Sequence, residues 1–407
     1  MDDFHKTRRL PPYVFEQVNR LKASARSRGA DIIDLGMGNP DLPTPKAIVD
    51  KLVEVVRDPR THRYSSSRGI PGLRRAQANY YARRFGVKLN PDTQIVATLG
   101  SKEGFANMAQ AITAPGDIII CPNPTYPIHA FGFIMSGGVI RSVQCEPDDG
   151  FLSALDRAVK HSIPKPLALI LNYPSNPTAY VATLDFYKEV VAFARKHEII
   201  VLSDLAYSEI YFNGEPPPSV LQVPGAMDVA VEFTSMSKTF SMPGWRMGFA
   251  VGNERLIAAL TRVKSYLDYG AFTPIQVAAT AALNGDGSDI EEVRSIYHRR
   301  RDVMVDSFAK AGWTIPAPAA TMFAWAPIPD QFKALGSLEF SKLLVEKADV
   351  AVAPGIGFGE HGDDYVRLAL VENEHRIRQA ARSIKKFFSS VGAAGAGDNV
   401  VPLSARR

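Results

Sequence analysis

Hydrophobic and polar positions follow two alternating rhythms from about residue 92 onward. Short runs rich in β-branched residues, typical of buried strands, are separated by amphipathic segments of helix length. The predicted strands are residues 94–99, 117–121, 139–144, 167–171, 199–202, 229–234 and 247–251. The predicted helices between them include residues 102–113, 152–161 and 184–196. This alternation predicts an α/β fold with a mostly parallel sheet covered by helices.

The rhythm changes after residue 253. A helical pattern dominates to about residue 312, with breaks near residues 273–274 and 285–287. Beyond it, strands are predicted at residues 321–326 and 365–369, and helices at 337–347 and 374–388. This order predicts a second, smaller α+β domain from about residue 286.

The composition is that of a globular protein. The chain has 407 residues, 46% hydrophobic and 22% charged, which excludes the disordered, collagenous and disulfide-stapled classes. No apolar run approaches the roughly 20 residues of a membrane span, and no apolar stretch follows the charged N-terminus. We therefore expect a cytoplasmic protein with no membrane partner. The two cysteines form no C-x-x-C pair and the eight histidines no H-x-x-x-H pair, so no metal site is expected.

The formal net charge is +5. The basic residues occur in short pairs and one triplet, at residues 299–301, spread along helical patterns without interleaved aromatic residues. Solvated helix faces explain this distribution better than a nucleic-acid surface does. The charge predicts a modest preference for anionic ligands and no nucleic-acid partner.

Residues 235–248, SMSKTFSMPGWRMG, carry the most informative chemistry. They connect two predicted strands, so they form a loop at a sheet edge, where α/β proteins bind ligands. Its candidate polar side chains are Ser235, Ser237, Lys238, Thr239, Ser241 and Arg246. Hydroxyl groups and a guanidinium suit a phosphate, and a lysine among such groups has the lowered pKa of a nucleophile and proton carrier.

Two other interpretations of this segment are a polar surface loop and the S-x-x-K pattern of penicillin-binding acyltransferases. The acyltransferase class also needs a K-T-G strand, which Lys238-Thr239-Phe240 does not provide.

The segment resembles the cofactor-lysine signature of class I aminotransferases, which are fold-type I pyridoxal-phosphate enzymes. Three further segments resemble this family in the expected order: residues 172–178 (NYPSNPT), 204–207 (DLAY) and 365–368 (YVRL). Tyr173 departs from the family's N-P-x-N-P-T/S loop. The likeness covers about residues 10–390, nearly the whole chain.

The resemblance implies a fold-type I PLP-transferase, with a large, mostly parallel seven-stranded sheet domain and a smaller α+β domain. It implies a homodimer with shared active sites that acts on amino acids and 2-oxo acids. The expected division is an N-terminal arm at residues 1–13, the small domain at 14–47 and 286–390, and the large domain at 48–285. The Gly-, Ala- and Ser-rich end, residues 391–407, is expected to be a mobile tail.

The implied cofactor is pyridoxal 5′-phosphate, and the implied catalytic residues are Lys238, Asp204 and Tyr207. By resemblance, Lys238 bonds to the cofactor aldehyde and later carries a proton. Asp204 keeps the ring nitrogen protonated, because an ion pair in a low dielectric raises the pKa of a pyridinium. Alone, an Asp at this position is as readily a helix cap.

The resemblance also assigns the remaining cofactor contacts. Tyr126 stacks on the ring, Asn176 and Tyr207 donate to its phenolic oxygen, and Tyr64 reaches the phosphate of the other subunit. In this subunit the phosphate is held by Ser235, Arg246 and the start of a helix at Ser101 and Lys102, where backbone N–H groups suit an anion.

Arg367 is the implied donor to the substrate's α-carboxylate. An arginine between Val366 and Leu368 on an apolar strand must have a partner or face a cavity. Gly38 and Asn39 match the loop that closes over that carboxylate. The other implied substrate contacts are Asn176 and Tyr13.

Three strings resemble the bacterial alanine-forming glutamate–pyruvate aminotransferases: residues 10–15, 265–270 and 354–359. The implied reaction is L-alanine + 2-oxoglutarate = pyruvate + L-glutamate. Residues 264–274 contain no arginine, which counts against tight dicarboxylate specificity. An aspartate, methionine or LL-diaminopimelate aminotransferase and a C–S lyase remain open. A distal carboxylate has four candidate donors: Lys102, Arg68, Tyr13 and Tyr269.

Overall fold

The computed structural model describes residues 4–212 and 214–394, which form two packed units. Its strands are β1 (Ile33–Asp34), β2 (Ile95–Thr98), β3 (Ile118–Asn123), β4 (Val139–Gln144), β5 (Ala168–Asn172), β6 (Ile200–Asp204), β7 (Ala230–Ser235), β8 (Gly248–Gly252), β9 (Phe323–Pro327), β10 (Val350–Ala351), β11 (Ala353–Pro354) and β12 (Tyr365–Ala369). Its α-helices are α1 (His5–Arg8), α2 (Val14–Ser27), α3 (Lys46–Val56), α4 (Pro71–Phe85), α5 (Ser101–Ile112), α6 (Ile128–Met135), α7 (Asp149–Lys160), α8 (Leu184–His197), α9 (Met236–Thr239), α10 (Glu254–Leu267), α11 (Thr273–Leu283), α12 (Ser288–Lys310), α13 (Gly336–Ala348) and α14 (Glu374–Ala394).

The larger unit is built on a seven-stranded sheet with the order β2-β8-β7-β6-β5-β3-β4. Strand β8 runs antiparallel to both of its neighbours, and the other pairs are parallel. Each of the seven predicted strands overlaps one of these strands, so the mostly parallel sheet is confirmed. Apolar side chains of α5, α6 and α10 cover one face of the sheet, and those of α4, α7, α8 and α11 cover the other.

The smaller unit combines the antiparallel sheet β11-β12-β9 with the parallel pair β1-β10. Its core takes side chains from α12, α13 and α14. The chain after β6 also enters this core, through Ala206, Tyr207, Ile210 and Phe212. Residues expected in the large domain therefore pack against the small one. The strands β1, β10 and β11 have two residues each, too short for a periodic pattern to reveal.

Helices extend into both expected terminal segments of the chain. The expected N-terminal arm contains the short helix α1, and residues 1–3 lie outside the described residues. Helix α14 continues past its predicted end at residue 388 as far as Ala394. The first four residues of the expected tail, 391–394, are therefore helical, and residues 395–407 lie outside the described part of the chain.

In the described ranges, 4–212 and 214–394, no helix combines the length and apolar character needed to cross a membrane.

The topology directs several chain segments to one sheet edge. Strands β3, β5, β6 and β7 are parallel, and β2 runs with them because two antiparallel pairings separate it from β7. The carboxyl ends of all five therefore lie on the same edge, as is usual for ligand sites in open α/β sheets. Residues that follow these strands meet there.

Candidate active site

A cavity of about 470 Å³ lies at this sheet edge, between the two units. Nearly all the predicted site residues line it: Tyr13, Gly38, Asn39, Ser101, Lys102, Tyr126, Asn176, Asp204, Tyr207, Ser235, Lys238, Arg246 and Arg367. Tyr64 does not line it, and neither do Arg68 and Tyr269, two of the candidate donors to a distal carboxylate. The Tyr64 side chain is 87% exposed and contacts the ring of Tyr269 at a centroid distance of 4.8 Å.

Lys238 projects into the cavity from α9, directly after β7. Its Nζ donates to the carbonyl oxygen of Gly38 at 3.2 Å and lies 5.9 Å from the centre of the Tyr207 ring. Burial, followed by the positive charges of Arg367 and Arg246, lowers the pKa of the Lys238 amine to about 8. A far larger fraction of this amine is therefore neutral near physiological pH than at the ordinary pKa of 10.5, which favours its reaction as a nucleophile.

Asp204 is the last residue of β6 and is buried. Its Oδ1 accepts from the N–H of Ala206 at 3.1 Å, and its Oδ2 lies 2.9 Å from Nε2 of His129. The other ring nitrogen of His129, Nδ1, lies 2.8 Å from Oγ1 of Thr125. A carboxylate accepts, so Nε2–H donates to it, and the Thr125 hydroxyl donates to Nδ1. Asp204 is thereby fixed with its charge facing the cavity.

His129 was absent from the sequence-based site. It is fully buried at the start of α6 and is the only polar side chain in that helix, IHAFGFIM. A buried polar group needs a partner, so an isolated histidine in an apolar helix was a usable signal. The partner itself is 75 residues away along the chain, and no local pattern indicates it.

The second predicted feature, an anion-binding cradle, forms where β2, β7 and β8 end or begin. Gly100 precedes α5 with φ of 87°, and a Cβ there would run into Nη2 of Arg246. Arg246 donates to the carbonyl oxygens of Pro243 and Leu99 at 2.8 and 3.2 Å. Its charge is not neutralised by a carboxylate among the described residues, and it lies beside the first N–H groups of α5. This arrangement can bind a phosphate.

Ser235 completes this cradle. It is the N-cap of α9, and its Oγ accepts from the N–H of Ser237 at 3.2 Å. Both serines are buried and line the cavity. The hydroxyl hydrogen of Ser235 remains available to an anion, because the contact with Ser237 uses only an oxygen lone pair.

Two tyrosines form cavity walls. Tyr207 packs edge-on against Phe323 at a centroid distance of 5.6 Å, and burial raises the pKa of its phenol well above the ordinary value. Tyr126 is also desolvated, which raises its pKa, and it lies edge-on to His129 at 5.9 Å. Both phenols therefore stay protonated and can donate hydrogen bonds at neutral pH.

Arg367 enters the cavity from the middle of β12. Its Nη1 donates to Oδ1 of Asn176 at 2.8 Å, and its Nη2 donates to the carbonyl oxygen of Gly36 at 3.1 Å. The guanidinium lies 4.0 and 4.8 Å from the ring centres of Phe323 and Phe358. Its Nε is buried and has no hydrogen-bond partner. Burial lowers the pKa of Arg367 to about 10, so the group still carries its charge at neutral pH.

The loop at Gly38 separates Lys238 from Arg367. A Cβ on Gly38 would lie 3.0 Å from the Phe323 ring and 3.1 Å from Nη2 of Arg367. The backbone therefore approaches both groups more closely than a residue with a side chain would allow. Asn39, Tyr13 and Lys102 line the same cavity, and Tyr13 and Lys102 are exposed.

The arrangement can perform amine chemistry on a substrate that carries a carboxylate. It places a nucleophilic lysine, a buried carboxylate, an anion cradle and a buried arginine without a carboxylate partner around one cavity. No group of three or more His, Cys, Asp and Glu residues suited to a metal ion occurs in residues 4–212 and 214–394.

Comparison with known proteins gives consistent results. "Putative aminotransferase AatC" of Rhizobium meliloti (strain 1021) is 83% identical over 407 residues, all of both chains. Glutamate-pyruvate aminotransferase AlaC of Escherichia coli (strain K12) is 51% identical over 96% of this chain and 94% of its own. LL-diaminopimelate aminotransferase of Moorella thermoacetica (strain ATCC 39073 / JCM 9320) is 41% identical over 96% of this chain and 100% of its own.

A solved structure supports the fold. A single mutant of Thermus thermophilus aspartate aminotransferase superposes with a TM-score of 0.88, at 27% identity, over 95% of this chain and 100% of the other. The family model for aminotransferase class I and II matches residues 30–384. The chain is therefore an enzyme that belongs to the class I and II aminotransferase family.

Proposed function

We propose that this aminotransferase uses pyridoxal 5′-phosphate to exchange an amino group between L-alanine and 2-oxoglutarate. One observation carries the proposal: a single cavity contains the Lys238 amine with its lowered pKa, the Asp204–His129 pair and the charge of Arg367, which no carboxylate among the described residues neutralises. When bound, the pyridine ring of the cofactor is an electron sink that stabilises negative charge at the substrate's α-carbon.

The residues present fit this cofactor. Lys238 would bond to its aldehyde, Asp204 would face its ring nitrogen and Tyr126 would cover its ring. The phosphate would occupy the cradle of Ser101, Lys102, Ser235 and Arg246, where the absence of a side chain at Gly100 leaves room for the guanidinium. Asn176 and Tyr207 would donate to the phenolic oxygen.

Asp204 would act through its charge. A buried carboxylate close to the ring nitrogen favours the protonated ring, because opposite charges attract strongly in a low dielectric. His129 holds the carboxylate in position by donating to Oδ2. The pair Asp204–His129 would therefore maintain the electron-accepting form of the ring.

Lys238 would move the proton. With an amino acid bound, its Nζ would take the α-proton as a general base, a role that the lowered pKa of the amine favours. Arg367 would bind the α-carboxylate and so orient the α-carbon toward Nζ. Its two planar N–H groups match the two carboxylate oxygens.

The alanine assignment is supported by the 51% identity to the Escherichia coli glutamate-pyruvate aminotransferase.

The second carboxylate of glutamate needs a cation of its own, and the exposed Lys102 at the cavity is the favoured candidate. Its Nζ lies 5.9 Å from the Tyr126 ring centre, and Lys102 has no carboxylate partner among the described residues. The alternative is LL-diaminopimelate as amino donor, which the 41% identical relatives favour.

We also propose a cytoplasmic homodimer. Tyr64, Tyr266, Leu267, Tyr269 and Phe272 are exposed large hydrophobic residues. Rings of this size are rarely left in water together, and a second copy of the chain would cover them. Tyr64 would then reach the partner's phosphate. Sedimentation should show one species of twice the 44.5 kDa chain mass, and a monomer at micromolar concentration would contradict the dimer.

Absorbance spectra test the main proposal. The purified protein with pyridoxal phosphate should lose its visible-edge band when L-alanine is added and recover it with pyruvate. Equal tests with LL-diaminopimelate, L-aspartate and L-methionine rank the donors. A band that does not change with alanine but changes with another donor would overturn the alanine assignment. The absence of any band would overturn the cofactor assignment.

A further inference from the structure

We infer that Asp34 is a positioning residue that sets the geometry of the Arg367 carboxylate site through the loop of residues 36–38. The inference rests on the proposed function of Arg367. Asp34 does not touch the groups that react. It controls the backbone that touches both Arg367 and Lys238.

The carboxylate of Asp34 holds the beginning of this loop. Its Oδ1 accepts from the backbone N–H groups of Gly36 and Met37 at 3.1 and 3.2 Å. Two hydrogen bonds to one oxygen fix the direction in which the chain leaves β1. Without the Asp34 carboxylate, the N–H groups of Gly36 and Met37 would lose these hydrogen bonds, and the loop would lose two local restraints.

The fixed loop provides two carbonyl oxygens to the active site. That of Gly36 accepts from Nη2 of Arg367 at 3.1 Å, and that of Gly38 accepts from Nζ of Lys238 at 3.2 Å. Because Arg367 has no carboxylate partner, its orientation depends on Asn176 and on this loop. A displaced Gly36 would therefore remove one of the two hydrogen bonds that orient the guanidinium.

A buried lysine holds Asp34 in turn. Lys22, on α2, is 8% exposed, and its Nζ donates to Oδ2 of Asp34 at 2.6 Å. Arg26 lies farther away, at 3.8 Å from the same oxygen. Both Lys22 and Asp34 line the cavity. The ion pair thus connects α2, which follows the N-terminal arm, to the loop that contacts Arg367.

In the cofactor-loaded enzyme Lys238 would be bonded to the cofactor and would no longer depend on the Gly38 carbonyl oxygen, whereas Arg367 would still depend on that of Gly36. The inferred role therefore affects carboxylate binding more than amine chemistry. Two fragments of alanine separate these effects: propionate has the carboxylate without the amine, and ethylamine has the amine without the carboxylate. In the cofactor-loaded enzyme, calorimetry measures propionate binding, and the change in cofactor absorbance measures the reaction with ethylamine. A defect in folding or cofactor binding would change both.

We expect Asp34→Ala to weaken propionate binding about tenfold while the ethylamine reaction changes less than twofold, because a small misplacement of a binding group is costly. Asp34→Asn keeps an oxygen for the two N–H groups and should restore most of the propionate affinity. Combined with Arg367→Lys, Asp34→Ala should add little, since both substitutions act on one contact.

Asp31→Ala is the matched control. Asp31 is on the same segment and forms a bidentate pair with Arg376 at 2.6 and 2.7 Å, away from the loop. This substitution should leave both propionate binding and the reaction with ethylamine unchanged. If Asp34→Ala does not fold, Lys22→Met replaces it with the same expected result.

Unchanged propionate binding in Asp34→Ala, or an equal loss for propionate and ethylamine, would overturn the inference. Failure of the wild-type enzyme to react with alanine would instead overturn the proposed function.

Discussion

Arg367 and Asn176 contact each other across the two units of the chain. The Nη1 of Arg367, on β12 of the smaller unit, donates at 2.8 Å to Oδ1 of Asn176, which follows β5 of the larger one. This contact uses one donor of the guanidinium on a neutral oxygen and leaves its charge unpaired. The proposed carboxylate site is thus coupled directly to a residue of the proposed cofactor site.

Arg367→Lys tests the carboxylate site. Lysine cannot offer two parallel N–H groups, so binding of amino and 2-oxo acids should weaken by about 1.5–3 kcal/mol, or roughly 10- to 150-fold. Steady-state kinetics should show this in KM for both substrates, with an unchanged cofactor spectrum. A KM that stays within twofold would assign the carboxylate to another group.

Replacing Lys238 with alanine removes the nucleophile and the proton carrier together. General-base catalysis alone contributes about 10²- to 10⁴-fold, so turnover should fall at least 100-fold. The control is Lys165→Ala, which removes an exposed lysine paired with Glu198 and should leave turnover intact. Retention of more than a few per cent of wild-type turnover by Lys238→Ala would contradict its assignment.

The lowered pKa of Lys238 predicts a pH dependence for cofactor attachment. The neutral amine is the reactive form and predominates above its pKa, so attachment to the cofactor-free protein should accelerate with rising pH. The half-maximal rate should fall near pH 8 instead of near the ordinary value of 10.5. Stopped-flow absorbance at a series of pH values measures this. A midpoint above pH 10 would show that the amine is not perturbed.

His129→Ala should weaken the Asp204 site without removing its charge. Asp204 would keep its bond from Ala206 but lose the donor at Oδ2. A hydrogen bond to a charged group is worth about 1.5–3 kcal/mol, or roughly 10- to 150-fold in activity or affinity. We expect this in kcat and in the dissociation constant of the cofactor. His298→Ala, on an exposed face of α12, is the control, and equal effects of both variants would argue against a specific role.

Gly100→Ala tests the anion cradle. The new methyl group would meet Nη2 of Arg246, and the backbone φ of 87° already disfavours any residue with a side chain. The affinity for pyridoxal phosphate should fall, whereas the affinity for pyridoxal, which lacks the phosphate, should change little. Fluorescence titration of the cofactor-free protein distinguishes the two. An equal loss for both ligands would indicate general misfolding.

The sequence by itself determined the sheet and most of the candidate site. Strand periodicity is local, so it predicts each of the seven strands. The resemblance to class I aminotransferases supplied the roles of Asp204, at the end of β6, and Lys238, after β7, and the parallel topology brings both to one edge. The same resemblance assigned Arg367, and its place between apolar neighbours on a strand added that it must face a partner or a cavity.

Only the tertiary structure decided which of these groups touch. His129 reaches Asp204 across 75 residues of sequence, and Arg367 reaches Asn176 across 191. Such contacts depend on how helices and strands pack, and side-chain periodicity along one element contains no information about its distant neighbours. The tertiary structure also left Tyr64 outside the cavity of its own chain and placed Asp34 behind the loop at Gly36. Both depend on packing between elements distant in sequence, which no local pattern encodes.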